Sequence, residues 1–437
     1  MRRTMTHRLR SLPAAFCLLS VVGCSRIDSS LLSTHLENDQ RAAAKERWEA
    51  VRGGVKLQLA GEHLRAGRID DAEKALNEAM AMMPSDAEAF LLAARIRLEQ
   101  GQLGEARQAI ALAVALKPED PEVHYLAGEI ARRQEDLPSA FEHYANAAQL
   151  APQTAAYLLA EADVLVAMNR PFDALELIQP RLIDFDQNVS LRMLAARICR
   201  IVGLREPAVA YCRDAVRIST QDPKLQVELA AVLHWAGRDE EAIRILEPLI
   251  DGAEAPADGT ESDAVAIQPS TLLLLADAYL DQARPVHAMR ILRRAMKESQ
   301  DDLTPWRLFA RAATAAGDLE AAAESLEHIA AKGAMTAETW LLSSYVALRR
   351  GKPNDSREAS ARAIQAKPDL AAAHFLNGEA AEVEGDVSAA RAAYERALRI
   401  DPDFEIAATR LDMLSLRAEA ASDSTGTCHD GVTGTEP

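Results

Sequence analysis

The sequence predicts an all-α superhelix of about ten helix-turn-helix units, and three observations carry that prediction. First, frames of 34 residues align from Gly53 to Phe404; they begin at Gly53, Ala87, Pro121, Ala155, Val189 and Pro223, then at Pro269, Leu303, Ala337 and Ala371. Second, position 8 is small in every frame, from Ala60, Ala94 and Gly128 to Ser344 and Gly378, and position 20 is Ala in nine frames and Ser356 in the remaining one. Third, a Gly near position 15, among them Gly67, Gly101, Gly203, Gly317 and Gly385, separates two helical patterns of about a dozen residues, with Asn169 in its place in the fourth frame. Glycine reaches the left-handed conformation that ends a helix, so the chain can reverse there. Chance matches in an alanine-rich chain do not hold one frame over ten units.

Taken in chain order, residues 1–23 combine Arg2, Arg3, Arg8 and Arg10 with an apolar run from Leu12 to Val22, too short to cross a bilayer, and read as a secretory signal. Val21-Val22-Gly23-Cys24 resembles the bacterial lipoprotein signal. By that resemblance Cys24 receives lipid, and Ser25 behind it favours the outer membrane; an ordinary cleaved signal with an incidental cysteine is the alternative. Residues 24–52 are read as an anchor linker and an N-terminal capping helix, about Leu36 to Val51, covering the outer face of the first repeat. Frames one to six occupy residues 53–250. The stretch 251–268, rich in Asp, Glu, Ala, Gly and Pro, reads as an acidic surface loop that divides them from frames seven to ten at 269–404. Leu411, Met413, Leu414 and Leu416 mark a C-terminal capping helix at 405–420, and the polar residues 421–437 read as a disordered tail.

The repeat resembles the tetratricopeptide repeat. Trp306 and Trp340 stand at position 4, Gly128 and Gly378 at position 8, Tyr279 at position 11, Tyr144 and Tyr394 at position 24, and Pro84, Pro118, Pro152, Pro368 and Pro402 close their frames. The resemblance covers about four-fifths of the chain and implies a right-handed α-solenoid that binds protein. Frames four to eight lack the closing Pro, and Arg181, Leu249 and Ile329 replace the small residue at position 27, so the middle units are expected to be irregular.

The formal net charge is −17, and the leader carries four Arg and no acid, so the remainder is more acidic still. That balance excludes a nucleic-acid footprint and makes an anionic membrane surface a poor direct ligand. No phosphate loop, His-Glu-x-x-His helix, Gly-x-Ser-x-Gly elbow or Cys-x-x-Cys pair occurs; Asp184, Asp186 and Asn188 begin a calcium-loop pattern that fails at Val189 and Ala195. No enzymatic role, cofactor or metal is therefore expected. His124 and His374 share position 4 and read as packing groups, Cys199 and Cys212 as buried thiols rather than a disulfide, and Cys428 as able to pair between chains.

By the same resemblance, positions 2, 5, 9, 12 and 13 of each first helix face a concave groove, where basic and acidic residues are equal in number and apolar groups intervene. Arg95, Tyr125, Arg132, Arg197, Arg200, Trp235, Arg307, Arg311 and Tyr345 are the candidate protein-binding residues. An acidic peptide lying across Arg197, Arg200, Trp235, Arg307 and Arg311 is one reading, and pairing of those arginines with neighbouring carboxylates is the other. Trp235 stands out because Trp306 and Trp340 hold packing positions. The whole implies a lipid-anchored scaffold or adaptor on the periplasmic side of the outer membrane, serving assembly of a secretion, pilus or exopolysaccharide-export complex. The alternatives are a glycan- or peptidoglycan-binding protein using the groove aromatics, and an activator of an envelope enzyme using the 251–268 loop.

Overall fold

The 34-residue frames fall on the helices of a computed structural model, which describes residues 29–252, 268–299 and 301–426. The leader, Cys24, residues 253–267 of the expected loop, and the tail from residue 427 with Cys428 lie outside the described residues. The described chain is an all-α repeat array, and it divides into two compact units, Met1–Val164 and Leu165–Pro437.

The first unit holds α1 (Ser29–Arg65) with α2 (Ile69–Met82), α3 (Ala87–Glu99) with α4 (Leu103–Leu116), and α5 (Pro121–Arg133) with α6 (Leu137–Leu150). The division falls inside α7 (Ala155–Ala167), and α8 (Pro171–Ile178) follows it. The second unit continues with α9 (Val189–Ile201) and α10 (Arg205–Ile218), α11 (Pro223–Trp235) and α12 (Asp239–Gly252), and α13 (Pro269–Asp281) and α14 (Pro285–Glu298). Next come α15 (Thr304–Ala316) and α16 (Leu319–Ala331), α17 (Ala337–Arg349) and α18 (Pro353–Ala366), α19 (Ala371–Glu384) and α20 (Val387–Ile400), and finally α21 (Glu405–Gly426).

Caps recur at fixed addresses. Asp86, Asp120 and Asp222 each accept from the backbone N–H two residues on at 2.9 Å, and Asn188 accepts from Leu191 N–H at 2.9 Å, so one of the free donors opening each of those first helices is satisfied. The turn between paired helices is left-handed, with φ of +79° at Gly317 and +84° at Gly385. Asn169 takes the same conformation at φ +59°, as expected, and so do Glu135 and Ala283, where a side chain bears a cost of about 1 kcal/mol.

All ten residues at position 8 and all ten at position 20 are buried, so small side chains are what let the helix pairs close. Where both are serine, Ser344 and Ser356 satisfy each other: their hydroxyl oxygens lie 2.9 Å apart. The fourth unit departs from the regular pair of helices. Its second helix stops at Ile178 and passes into a 3-10 turn, Gln179–Ile183, because Pro180 has no N–H to continue the ladder.

Three readings are corrected. The capping helix and the first repeat helix are one, α1, running unbroken through Gly53 and Gly54. A Cβ at Gly53 would stand 2.8 Å from Met83 Cγ, so this glycine admits a neighbouring side chain instead of breaking the helix. A continuous helix cannot turn back over its own face. Val55 and Leu59 are therefore 62% and 36% exposed, while their counterparts Val123 and Ala127 in the third repeat are 1% and 4%. Second, residues 251–252 end α12 instead of opening the loop, and Ile250 and Leu272 on either side belong to one buried cluster running from Ala196 to Val346. The helices on either side, α12 and α13, still pack together. Third, residues 421–426 continue α21 instead of beginning the tail.

Candidate protein-binding face

In an array of helical pairs the layer whose members approach each other most closely is the inner one. Here α1 packs on α3 and α3 on α5 in the first unit, and α11, α13, α15, α17 and α19 form a similar chain in the second. Among the described residues no pair of second helices packs to that extent. These first helices therefore line the inner face in each unit, and they carry the candidate residues except Arg197 and Arg200, which stand on α9.

Arg95, Tyr125 and Arg132 belong to the first unit, and the other six candidates to the second. Most of the arginines already have partners. Arg95 pairs with Glu122 of the next repeat, and Arg132 lies 3.1 Å from Glu129 on its own helix. Burial pushes the Glu129 carboxyl up, but hydrogen bonds from Arg132 and from the Tyr144 hydroxyl (2.5 Å) outweigh it and hold the group below the usual range. Arg311 reaches Asp277 of the preceding repeat at 3.2 Å. Arg307 donates to the Ala334 carbonyl at 3.1 Å, and Arg197 is exposed and also engaged. Pairing along the array is thus the first use of these side chains. Arg200 differs: it is exposed and has no ion pair among the described residues.

Tyr125 is half-buried between Tyr144 and Tyr157, with ring centroids at 5.6 and 5.2 Å, which makes it part of an aromatic stack. Trp235 is half-buried at the end of α11 against the long core, and the Arg205 guanidinium stands 5.9 Å from its ring centroid. Tyr345 is similar, with Arg349 at 5.1 Å. Two aromatic faces flanked by arginines, plus Arg200, are what the inner face of the second unit offers a partner.

Of the position-4 histidines, His124 is buried, with its ring 5.6 Å from that of His143, whereas His374 is half-buried. His124 and His374 each lie within hydrogen-bond distance of the carbonyl of the proline that closes the preceding repeat, Pro118 at 2.9 Å and Pro368 at 3.1 Å. Cys199 and Cys212 are free and buried. Burial pushes their thiols up to about 11 and about 12 respectively. The thiolate is the reactive form, so iodoacetamide at pH 8 should label both at least about 100-fold more slowly than in urea-unfolded chain, read by peptide mass mapping.

Sequence reasoning passed over Asp239 and His234. The signal was available in the frame: position 17 is Ile, Leu, Val or Pro in eight repeats, Arg205 in one, and Asp only in the sixth.

Models of the tetratricopeptide repeat match residues 63–130, and residues 109–155 and 341–403. No curated protein matches the sequence. Among solved structures, a tetratricopeptide repeat protein from Parabacteroides merdae is 15% identical, with 60% of this chain and 98% of that one covered at a TM-score of 0.41. Pseudomonas aeruginosa pilF is 18% identical over 48% of this chain and 95% of that one, also at 0.41. YrrB, described as having an unusual peptide-binding site, is 17% identical over 44% and 95%, at 0.35. At such identities the likeness concerns the fold alone.

Proposed function

We propose, from the premise that this chain is a tetratricopeptide-repeat protein and hence a scaffold for protein–protein contact, that it holds an extended segment of an envelope protein on its inner face while lipid on Cys24 ties it to the outer membrane. The observation that carries the binding role is the series of first helices α11, α13, α15, α17 and α19 in the second unit, with Trp235 and Tyr345 half-buried on it. Rigid aromatic groups beside arginines supply contact area at low entropic cost, and Arg200 adds an uncommitted charge for an acidic side chain or chain terminus. The acidic balance of the chain disfavours nucleic acid. The anchor rests on Val21-Val22-Gly23-Cys24, and the periplasmic outer-membrane site on Ser25. Assembly of a secretion, pilus or export complex is the role that fits a tethered, non-catalytic binder.

A photo-crosslinking residue at Trp235 or Tyr345 should capture the same protein in native membranes, and one at the exposed Glu327 of α16 should not. Trp235→Ala or Arg200→Glu should weaken that partner at least about tenfold. Cys24→Ser should move the complex from the detergent to the aqueous phase without abolishing capture. Equal capture from Glu327 sinks the inner-face reading; unchanged partition of Cys24→Ser sinks the anchor.

A further inference from the structure

We propose that the sixth and seventh repeats hold a divalent transition-metal ion of the zinc class between His234, Asp239 and Asp281. His234 lies near the end of α11, Asp239 is the first residue of α12, and Asp281 is the last residue of α13. Each offers a ligand atom, and these atoms lie within 4.8 Å of one another. His234 Nδ1 is 2.7 Å from Asp239 Oδ1, and Gln282 Nε2 is 3.4 Å from Asp239 Oδ2, so the carboxylate is held by groups on two helices.

The fold does not ask for a carboxylate at this address. Eight other repeats place an apolar residue or proline at position 17, yet Asp239 is only 6% exposed. Removing a carboxylate from water is costly unless a cation compensates it. Elsewhere in the molecule even less buried carboxylates take an arginine: Arg97 on Glu73 at 2.7 Å, Arg357 on Glu384 at 2.6 Å and Arg410 on Glu379 at 3.4 Å. Asp239 has only the imidazole, and Asp281 has no ion pair among the described residues. Asp277, one turn earlier on α13, takes the nearby arginine, Arg311. Negative charge therefore gathers around one histidine with too few cations to balance it.

The donor set selects the ion. One imidazole nitrogen and two carboxylate oxygens suit zinc and its neighbours, with a position left for water, whereas magnesium and calcium prefer oxygen alone. Such an ion would bind α11 and α12 to α13, across the point where residues 253–267 enter the chain.

The test is titration of the purified mature chain with Co(II) and with Zn(II), read by the visible absorption of Co(II) and by Tm. One saturable equivalent and a Tm raised by several degrees are expected. Asp281→Asn, at an exposed site, should weaken binding at least tenfold. Asp239→Leu, which installs the residue that the second, third and eighth repeats carry at this position, should fold without metal and lose both the binding and the Tm rise. No saturable binding by wild type overturns the site, as does wild-type affinity in both variants. Saturation by Mg(II) or Ca(II) at the concentrations where Co(II) does not bind overturns the choice of ion.

Discussion

Gly128→Ala is expected to destabilise the protein by about 2–3 kcal/mol, unusually much for one added methyl group. The new Cβ would stand 2.6 Å from Cδ1 and Cε1 of Tyr144. That ring cannot withdraw: it is fully buried, its hydroxyl donates to Glu129 at 2.5 Å, and Tyr125 packs on it. The other repeats indicate the cure. Positions 8 and 24 meet between paired helices, and seven repeats place Ala at 8 with Leu, Ile or Cys at 24, as Ala94 does with Ile110. Only Gly128 and Gly378 face tyrosine, Tyr144 and Tyr394. Tyr144→Ile alone leaves a void and takes one of two hydrogen bonds from Glu129, which keeps Arg132, at about 2–4 kcal/mol. Gly128→Ala with Tyr144→Ile recreates the neighbouring pair and should lose clearly less than the sum of the two. Urea unfolding of the four proteins gives the coupling directly, and simple additivity would contradict the size-matching account.

That pairing explains why so much of the fold was legible in the sequence. A fixed frame gives each side chain an address, and burial at positions 8, 20 and 24 follows from helix pairing that every repeat shares. His124 at position 4 could be assigned to packing on the same ground. The readings that failed concern contacts the frame does not repeat. Gly53 resembles a helix breaker, yet it admits Met83 from the end of α2. Asp251 and Gly252 resemble the start of a loop, yet α12 runs through them. The binding face was legible as a surface and not as a list of free groups. Arg95 and Arg311 find partners 27 and 34 residues away on adjacent helices, and spacing alone does not distinguish a paired arginine from an open one.

Leu414→Ala is expected to release α21 and to open the last repeat while leaving residues 196–346 closed. Leu414 is 2% exposed and Ala407 fully buried against Phe375, Leu376 and Tyr394, while Met413 and Leu416, from the same apolar run, are 45% and 65% exposed. Docking of α21 thus rests on few apolar side chains, of which Leu414 is the largest fully buried one. Its truncation costs about 2–5 kcal/mol. Arg410 and Arg417 also reach Glu379 and Glu382, at 3.4 and 3.1 Å; Arg417 is solvent-exposed and its pair contributes about 0–1 kcal/mol, while the half-buried Arg410 adds a second polar contact to the apolar docking. Glu382 keeps its 2.9 Å bond from the Tyr394 hydroxyl when α21 leaves, so α19 and α20 should loosen without unfolding outright. Each repeat is stabilised by its neighbours, so the damage should fade within a repeat or two of the end. Native-state hydrogen exchange reads this out: protection should vanish in α21, fall in α19 and α20, and persist in α11 to α15. A uniform loss along the chain would mean that the array unfolds as one cooperative body, and the inner face would then depend on every repeat at once.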